Sequence, residues 1–358
     1  MNKHLIVRLL CISCLSTLLF CSTGCSLFAP KDQSVMAQAA DEHKALQPAV
    51  MEDPQLSSYL QQVGDRIIAA AQELDREHVG PPAHFDKSQD NKWMFSNQMK
   101  FHLVNSKTLN AFTTGGEHMY IYNELFQQCT SENELAAVMA HEYGHVYCRH
   151  VAQGMQHQME TLVAGALVGG VAGYALGGKD NKLAAAGTGA TAGAAGGQFL
   201  NMGFTRKDEA QADEYGFKFY TLAGWRPEHF ADFFRQMIKM GLDTSSAITS
   251  DHPTLASRVE AAEKRVKALG ADVDKDVKPP IADDAKFAQL KARAAQLAKT
   301  LPDDQSLQNS QKLAQALPRS CIAPVDPPDA VKARQELADQ AQQAQSSGST
   351  KKKKKTTE

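Results

Sequence analysis

The stretch Ser131-Glu132-Asn133-Glu134-Leu135-Ala136-Ala137-Val138-Met139-Ala140-His141-Glu142-Tyr143-Gly144-His145-Val146-Tyr147-Cys148 reads as one helix. Ser131, with Glu134 three residues on, has the form of a capping box. Leu135, Val138 and Val146 give the helix an apolar side. His141 and His145, four residues apart, project from the same side one turn apart, so both imidazoles can reach a single ion. Glu142 stands beside the first histidine, where its carboxylate can act as a general base without joining the coordination sphere. Zinc acidifies water, and such a carboxylate can take the proton as the oxygen attacks a peptide carbonyl. A surface helix with two histidines is the plain alternative. A capped helix with an apolar side argues against it, because histidines buried there need partners.

A catalytic zinc needs a third protein ligand and an open fourth position. The candidate lies in Thr205-Arg206-Lys207-Asp208-Glu209-Ala210-Gln211-Ala212-Asp213-Glu214-Tyr215-Gly216, a helix capped by Thr205 and ending at Gly224 with Pro227 beyond. Glu209 and Asp213 are four apart and share a face with Phe217, and a carboxylate on the apolar side of a helix has to be paired or coordinated. Glu209 as ligand, with Asp213 accepting from a ligand histidine's other N–H, is one assignment. Asp213 or Glu214 as the ligand is another, and salt bridges to Arg206 or Lys207 are a third. Gly216 lets another backbone come close. His150, five residues past His145, falls about 140° round a continuous helix and is not expected on the same ion.

Around these motifs the chain is long enough for a sizeable core, with 358 residues of which 43% are apolar. A net charge of −2 lacks the basic excess of a nucleic-acid binder. Residues 1–24 read as a leader, with Lys3 and Arg8 before an apolar run at 9–20 that is short for a bilayer span. Ser22-Thr23-Gly24-Cys25 follows and resembles a lipoprotein cleavage site, which implies an acylated Cys25 and an outer-membrane anchor; an ordinary secretory signal is the alternative. Residues 25–50 read as a polar tether. Asp53-Pro54 then opens a helix with Tyr59, Leu60, Val63, Ile67 and Ile68 on one side. From Trp93 to Tyr122 the pattern turns β-rich, notably at 101–104 and 119–122.

At 161–200, glycines recur every fourth residue in two sets, Gly165 to Gly177 and Gly189 to Gly197. A tight helical hairpin or a loop is preferred there to membrane insertion, since each arm is short of a span. Further helices fit 227–240 and 253–269. An Ala/Gln-rich helical region covers 271–345, with pieces around 284–300 and 329–345, before a lysine-rich disordered tail at 346–358. Cys129, Cys148 and Cys321 remain in the mature chain. The two ends of a helix running past Cys148 lie roughly 25 Å apart, so Cys129 and Cys148 are not expected to pair; a bridge from either to Cys321 stays open.

The order His141-Glu142-Tyr143-Gly144-His145, then Asp208-Glu209-Ala210-Gln211-Ala212-Asp213-Glu214-Tyr215-Gly216, then Asp251-His252-Pro253-Thr254-Leu255-Ala256-Ser257-Arg258 resembles the zinc metallopeptidase family of the HtpX heat-shock protease and the CaaX prenyl endopeptidase. In layout it is nearest to the family's periplasm-facing bacterial members, and the likeness covers about residues 50 to 270. It implies an α+β, mostly helical, zincin-like metallopeptidase domain over 51–270, with a small β-sheet beside the HExxH helix. It also implies one Zn2+ per chain held by His141, His145 and Glu209, with Glu142 as general base and Asp213 and Arg258 in support. By the same likeness His252 stabilises the oxyanion or occupies the open zinc position; from the residues alone it is equally a helix cap. Gln211 departs from the family, which often has Glu there. The run at 119–122 is expected as an edge strand that pairs with an extended substrate.

The leading expectation is therefore a lipid-anchored envelope endopeptidase facing the periplasm. Its partners would be unfolded or misassembled envelope polypeptides and, through the anchor, the membrane, with no nucleic acid. A chaperone-like binding lipoprotein with an idle or self-blocked metal site is a second reading, suggested by the long C-terminal helical region. A membrane-inserting structural protein, suggested by the spaced glycines, is a third.

Overall fold

The computed structural model describes residues 32–76, 89–158, 203–243, 254–269, 276–319, 328–337 and 339. The leader with Cys25, the glycine-rich segment 161–200, His252, Cys321 and the lysine-rich tail lie outside them. In chain order the elements are α1 (Asp32–Leu46), α2 (Pro54–Arg76), β1 (Lys100–Val104), β2 (Ala111–Thr113), β3 (His118–Tyr122), α3 (Asn123–Gln128), α4 (Glu132–Tyr147), α5 (Arg206–Leu222), α6 (Asp232–Lys239), α7 (Leu255–Leu269), α8 (Asp284–Leu297) and α9 (Gln305–Ala316). Among the described residues no helix is long and apolar enough to cross a membrane. The fold is the expected mostly helical α+β class with a small sheet.

The helix starts follow local chemistry. Asp53 accepts from the Gln55 and Leu56 backbone N–H groups at 3.0 Å each, so Pro54 enters α2 as a first-turn proline. Thr205 and Asp208 form a full capping box on α5. Its far end closes with Gly224 at φ 92°, where the Gly224 and Trp225 amides donate back to Thr221 and Tyr220. The box expected on α4 does not form. Glu134 instead accepts from the Thr130 N–H and hydroxyl, both at 2.7 Å, while Ser131 keeps the N-cap position with no side-chain bond. The amino end of α4 is held by Glu132, whose carboxylate accepts from Tyr59 (3.3 Å), Trp225 (3.0 Å) and the amides of Ile281 (2.9 Å) and Ala282 (2.6 Å). An anion suits this end of the helix dipole.

Strand order corrects one expectation. The sheet runs β1-β3-β2, with β3 parallel to β1 and antiparallel to β2. The 119–122 run is thus the central strand, flanked on both sides, and the outer positions fall to β1 and β2. The region near Trp93 is a 3-10 turn, Gln89–Phe95, rather than β structure. Side chains alternate across the sheet. Phe101, Leu103, Ala111, Met119 and Ile121 join the main core with α2, α4 and α5. Val104, Phe112, Tyr120 and Tyr122 join a second core with α1 and α9.

That second core changes the expected tether. From Asp32 onward the 25–50 segment is helix α1 and a short turn, with Val35, Ala39, Leu46 and Ala49 buried. Burying a Val or Leu side chain contributes roughly 1.5–3 kcal/mol, enough to keep such a helix docked. The C-terminal helices pack onto the same body. Phe287, Leu290 and Ala294 of α8 enter the main core, Arg293 pairs with Asp53, and the Tyr122 hydroxyl donates to the Ala314 carbonyl at 2.9 Å. Helix α9 lies within the expected helical C-terminal region, between the two pieces placed there. The helix expected at 227–240 is split into a 3-10 turn, Pro227–His229, and α6. Cys129 and Cys148 are both free and buried.

Candidate active site

Helices α4 and α5 pack at backbone distance because glycines face each other's chains. A Cβ on Gly144 would lie 2.7 Å from the Ala212 carbonyl oxygen, and one on Gly216 would lie 2.9 Å from the His141 Cα. This close approach sets Glu209 of α5 against the two histidines of α4. His141 Nε2 and His145 Nε2 stand 3.2 Å apart, and the Glu209 carboxylate oxygens lie 3.4 Å and 3.6 Å from them. All three residues are buried, with Glu209 and His145 at 0% exposure.

The outer nitrogens of both imidazoles are occupied. His141 Nδ1 lies 2.8 Å from Asp213 Oδ1, and only an N–H there suits a carboxylate. His145 Nδ1 lies 2.9 Å from Nδ1 of His150, whose Nε2 lies 2.9 Å from the Gln211 amide oxygen. An amide oxygen only accepts, so His150 carries its proton on Nε2 and accepts at Nδ1 from His145. With these outer protons fixed, Nε2 is the atom each α4 histidine turns toward Glu209, and it offers a lone pair when the ring is neutral. Two lone pairs and a carboxylate converging in a dry interior repel one another unless a cation or proton sits between them.

The donor set fits a metal ion. Tetrahedral zinc with bonds of 2.0–2.1 Å places its ligand atoms about 3.3 Å apart, close to the 3.2 Å between the two Nε2 atoms, and Glu209 presents one oxygen to each of them. Both Glu209 oxygens are buried and accept no hydrogen bond, an arrangement costly for a carboxylate with no counter-charge. The nearest fixed charge is Arg258, whose Nη1 is 3.7 Å from Glu209. Arg258 is committed mainly to Asp213, donating from Nε at 2.8 Å and Nη2 at 2.7 Å. Its guanidinium also lies over the Phe234 ring at 4.0 Å.

The protonation preferences follow. Burial would raise the Asp213 carboxyl, but Arg258 and His141 outweigh it and hold the group well below the ordinary range. Burial and Arg258 push His141 down, yet the Asp213 and Glu209 carboxylates prevail and leave it raised to about 9. His145 is driven far below its ordinary value by burial first, then by His141, His150 and Arg258.

The structure thus brings together His141, His145, Glu209, Asp213 and Arg258, with Glu142 buried beside His141. His252 and Cys25 lie outside the described residues. Sequence reasoning missed His150, Gln211 and Phe204 as parts of the site. His150 was placed on a continuous helix, but the chain turns at Arg149, φ 59°, and a new helical run begins at residue 150. That turn carries His150 back to His145, on the side away from Glu209. Gln211, a departure from the family pattern, is the residue that fixes the His150 tautomer. Phe204 stacks on His145 with ring centroids 3.9 Å apart.

Comparison with known proteins places this geometry. The beta-barrel assembly-enhancing protease of Yersinia pestis is 27% identical over 250 residues, covering 69% of this chain and 46% of the relative. Metalloprotease LoiP of Escherichia coli (strain K12) is 30% identical over 172 residues, 46% of this chain and 62% of the relative. The mitochondrial metalloendopeptidase OMA1 of Saccharomyces cerevisiae is 27% identical over 192 residues, 51% of each chain. The chain therefore spans about half the length of these curated relatives. Residues 87–266 match peptidase family M48, a span holding His141, Glu142, His145, Glu209, Asp213 and Arg258. The chain belongs to peptidase family M48.

Proposed function

We propose that this chain is a zinc-dependent endopeptidase in which His141, His145 and Glu209 hold one Zn2+ and Glu142 is the general base. The observation that carries the reading is the convergence of two oriented Nε2 atoms on a buried carboxylate that accepts no hydrogen bond. When bound, zinc supplies Lewis acidity, acidifying water and polarising a peptide carbonyl. Glu142 takes the proton from the attacking water and can deliver it to the leaving amide nitrogen. Asp213 and His150 keep the two imidazoles in the right tautomer, and Arg258 keeps Asp213 ionised and in place. His252 is assigned to the oxyanion or to the open metal position. An extended peptide would lie along β2, the outer strand of the sheet, since β3 is enclosed.

Further features complete the reading. Cys25 carries the lipid anchor, the chain faces the periplasm from the outer membrane, and its substrates are unfolded or misassembled envelope polypeptides. One bacterial relative supports this placement through its name, a beta-barrel assembly-enhancing protease. The decisive experiment compares wild type with Glu142→Gln for metal content and digestion of an unfolded protein. About one catalytic zinc retained in both, with hydrolysis lost in the variant, is the expected result. Undiminished hydrolysis in Glu142→Gln would overturn the mechanism.

A further inference from the structure

A second cluster of metal-ligating side chains lies on the sheet face opposite the main core. His102 of β1 and His118 of β3 share that face with Tyr120, because His118 aligns with Lys100 and Tyr120 aligns with His102. Helix α1 lays His43 over them, with the His43 and His118 rings stacked at 4.1 Å between centroids. One ligand nitrogen from each of the three histidines lies within 4.8 Å of the others. All three are partly buried.

We propose that His43, His102 and His118 form a second metal site, for a divalent transition cation of the zinc class, that clamps α1 to the sheet. His102 Nε2 and His118 Nδ1 stand 3.0 Å apart, against 3.2 Å for the Nε2 pair of the candidate active site. Both values are near the roughly 3.3 Å that two imidazoles adopt on one tetrahedral ion. The Tyr120 hydroxyl lies 3.0 Å from His43 Nδ1, an outer-sphere partner that orients the ring and leaves Nε2 for the ion. A set of imidazoles without a carboxylate selects zinc, copper or nickel over magnesium or calcium. Three protein ligands leave a position for water.

Just before His43, Glu42 is buried, and neither of its oxygens accepts a hydrogen bond. The cluster owes nothing to the residues of the peptidase site, so the two assignments stand or fall separately.

The test titrates cobalt and zinc into the chelator-stripped full chain carrying Glu142→Gln, which prevents self-digestion. Two equivalents per chain are expected, falling to one when His102→Gln or His118→Gln is added. In the complementary variant His141→Ala/His145→Ala, one equivalent should remain and zinc should raise the melting temperature by several degrees. Adding His102→Gln should abolish that shift. Peptide hydrolysis by zinc-loaded His102→Gln without the Glu142 substitution should equal wild type. Metal content unchanged by both His102→Gln and His118→Gln overturns the proposal, and this comparison holds even if the double-alanine variant does not fold. Loss of the first equivalent alone would instead count against the zinc peptidase reading.

Discussion

His150 Nδ1 lies 2.9 Å from His145 Nδ1, although five residues on an unbroken helix would point them about 140° apart. The turn at Arg149 makes the contact, and Gln211 fixes its polarity by accepting from the far side of His150. If His145 holds zinc as proposed, His150 orients that imidazole from behind. Replacing it with Phe preserves bulk and removes the acceptor. Zinc affinity, measured by competition with a chromophoric chelator, should weaken about 10–100-fold, the usual loss for such partners. Affinity unchanged in His150→Phe would mean that the contact carries no orienting role.

The Asp213–Arg258 pair is a buried, two-bond ion pair, so its halves are costly to separate. Arg258→Met leaves a buried carboxylate without its main counter-charge and should destabilise the chain by about 3–5 kcal/mol. Arg258→Met combined with Asp213→Asn should recover a substantial part of that loss in denaturant unfolding. The double variant should still bind zinc more weakly than wild type, because Asn holds the His141 N–H less firmly than a carboxylate. Additive losses in the two single variants would sink this account.

Gly216 has no room to spare. A methyl there would stand 2.9 Å from the His141 Cα and 3.0 Å from the Ala140 carbonyl, contacts with backbone that cannot rotate away. Gly216→Ala should push α5 off α4 and cost about 1–3 kcal/mol. The same displacement moves Glu209, so zinc affinity should fall with stability. A variant that is destabilised but binds zinc as tightly as wild type would show that the helices separate elsewhere.

Asp53 offers a pH test remote from the candidate active site. Its hydrogen bonds with Arg293 come first, and together with the Leu56 and Gln55 amides they hold the carboxyl below its ordinary 3.8 despite burial. A depressed folded value contributes stability that is fully present above about pH 4 and is lost as pH falls through the folded value. Asp53→Asn keeps a competent helix cap and removes the charge. Compared in chelator-stripped protein, wild type should be the more stable at pH 6, with the gap closing as the pH drops below 4. A gap that stays constant into strong acid would rule out the carboxylate as its source.

Much of the site could be read from residues within one or two helical turns of each other. The spacing of His141 and His145, the Thr205 cap, the Asp53-Pro54 entry and the shared face of Glu209 and Asp213 are local. Local spacing on a helix translates into geometry with little outside help. Choosing Glu209 over Asp213 or Glu214 needed the family resemblance, because the helix alone does not say which of its carboxylates meets a distant neighbour. Gly216 was legible as a close approach, but its neighbour was not.

Wherever one segment's place depends on a distant one, the residues alone left the matter open or pointed elsewhere. Strand order is such a case: β3 is central because β1 and β2 both pair with it, and pairing partners leave no mark in either strand's own pattern. Helix α1 is another, a polar run whose few aliphatic residues matter only because the sheet and α9 cover them. Local chemistry settled that His141, Glu142 and His145 stand on one helix with a capped carboxylate helix to follow. Folding alone turned the chain at Arg149, set two backbones against paired glycines, and brought His43, His102 and His118 together. Hydrogen bonding within a turn is a property of neighbouring residues, whereas packing is a property of the whole chain.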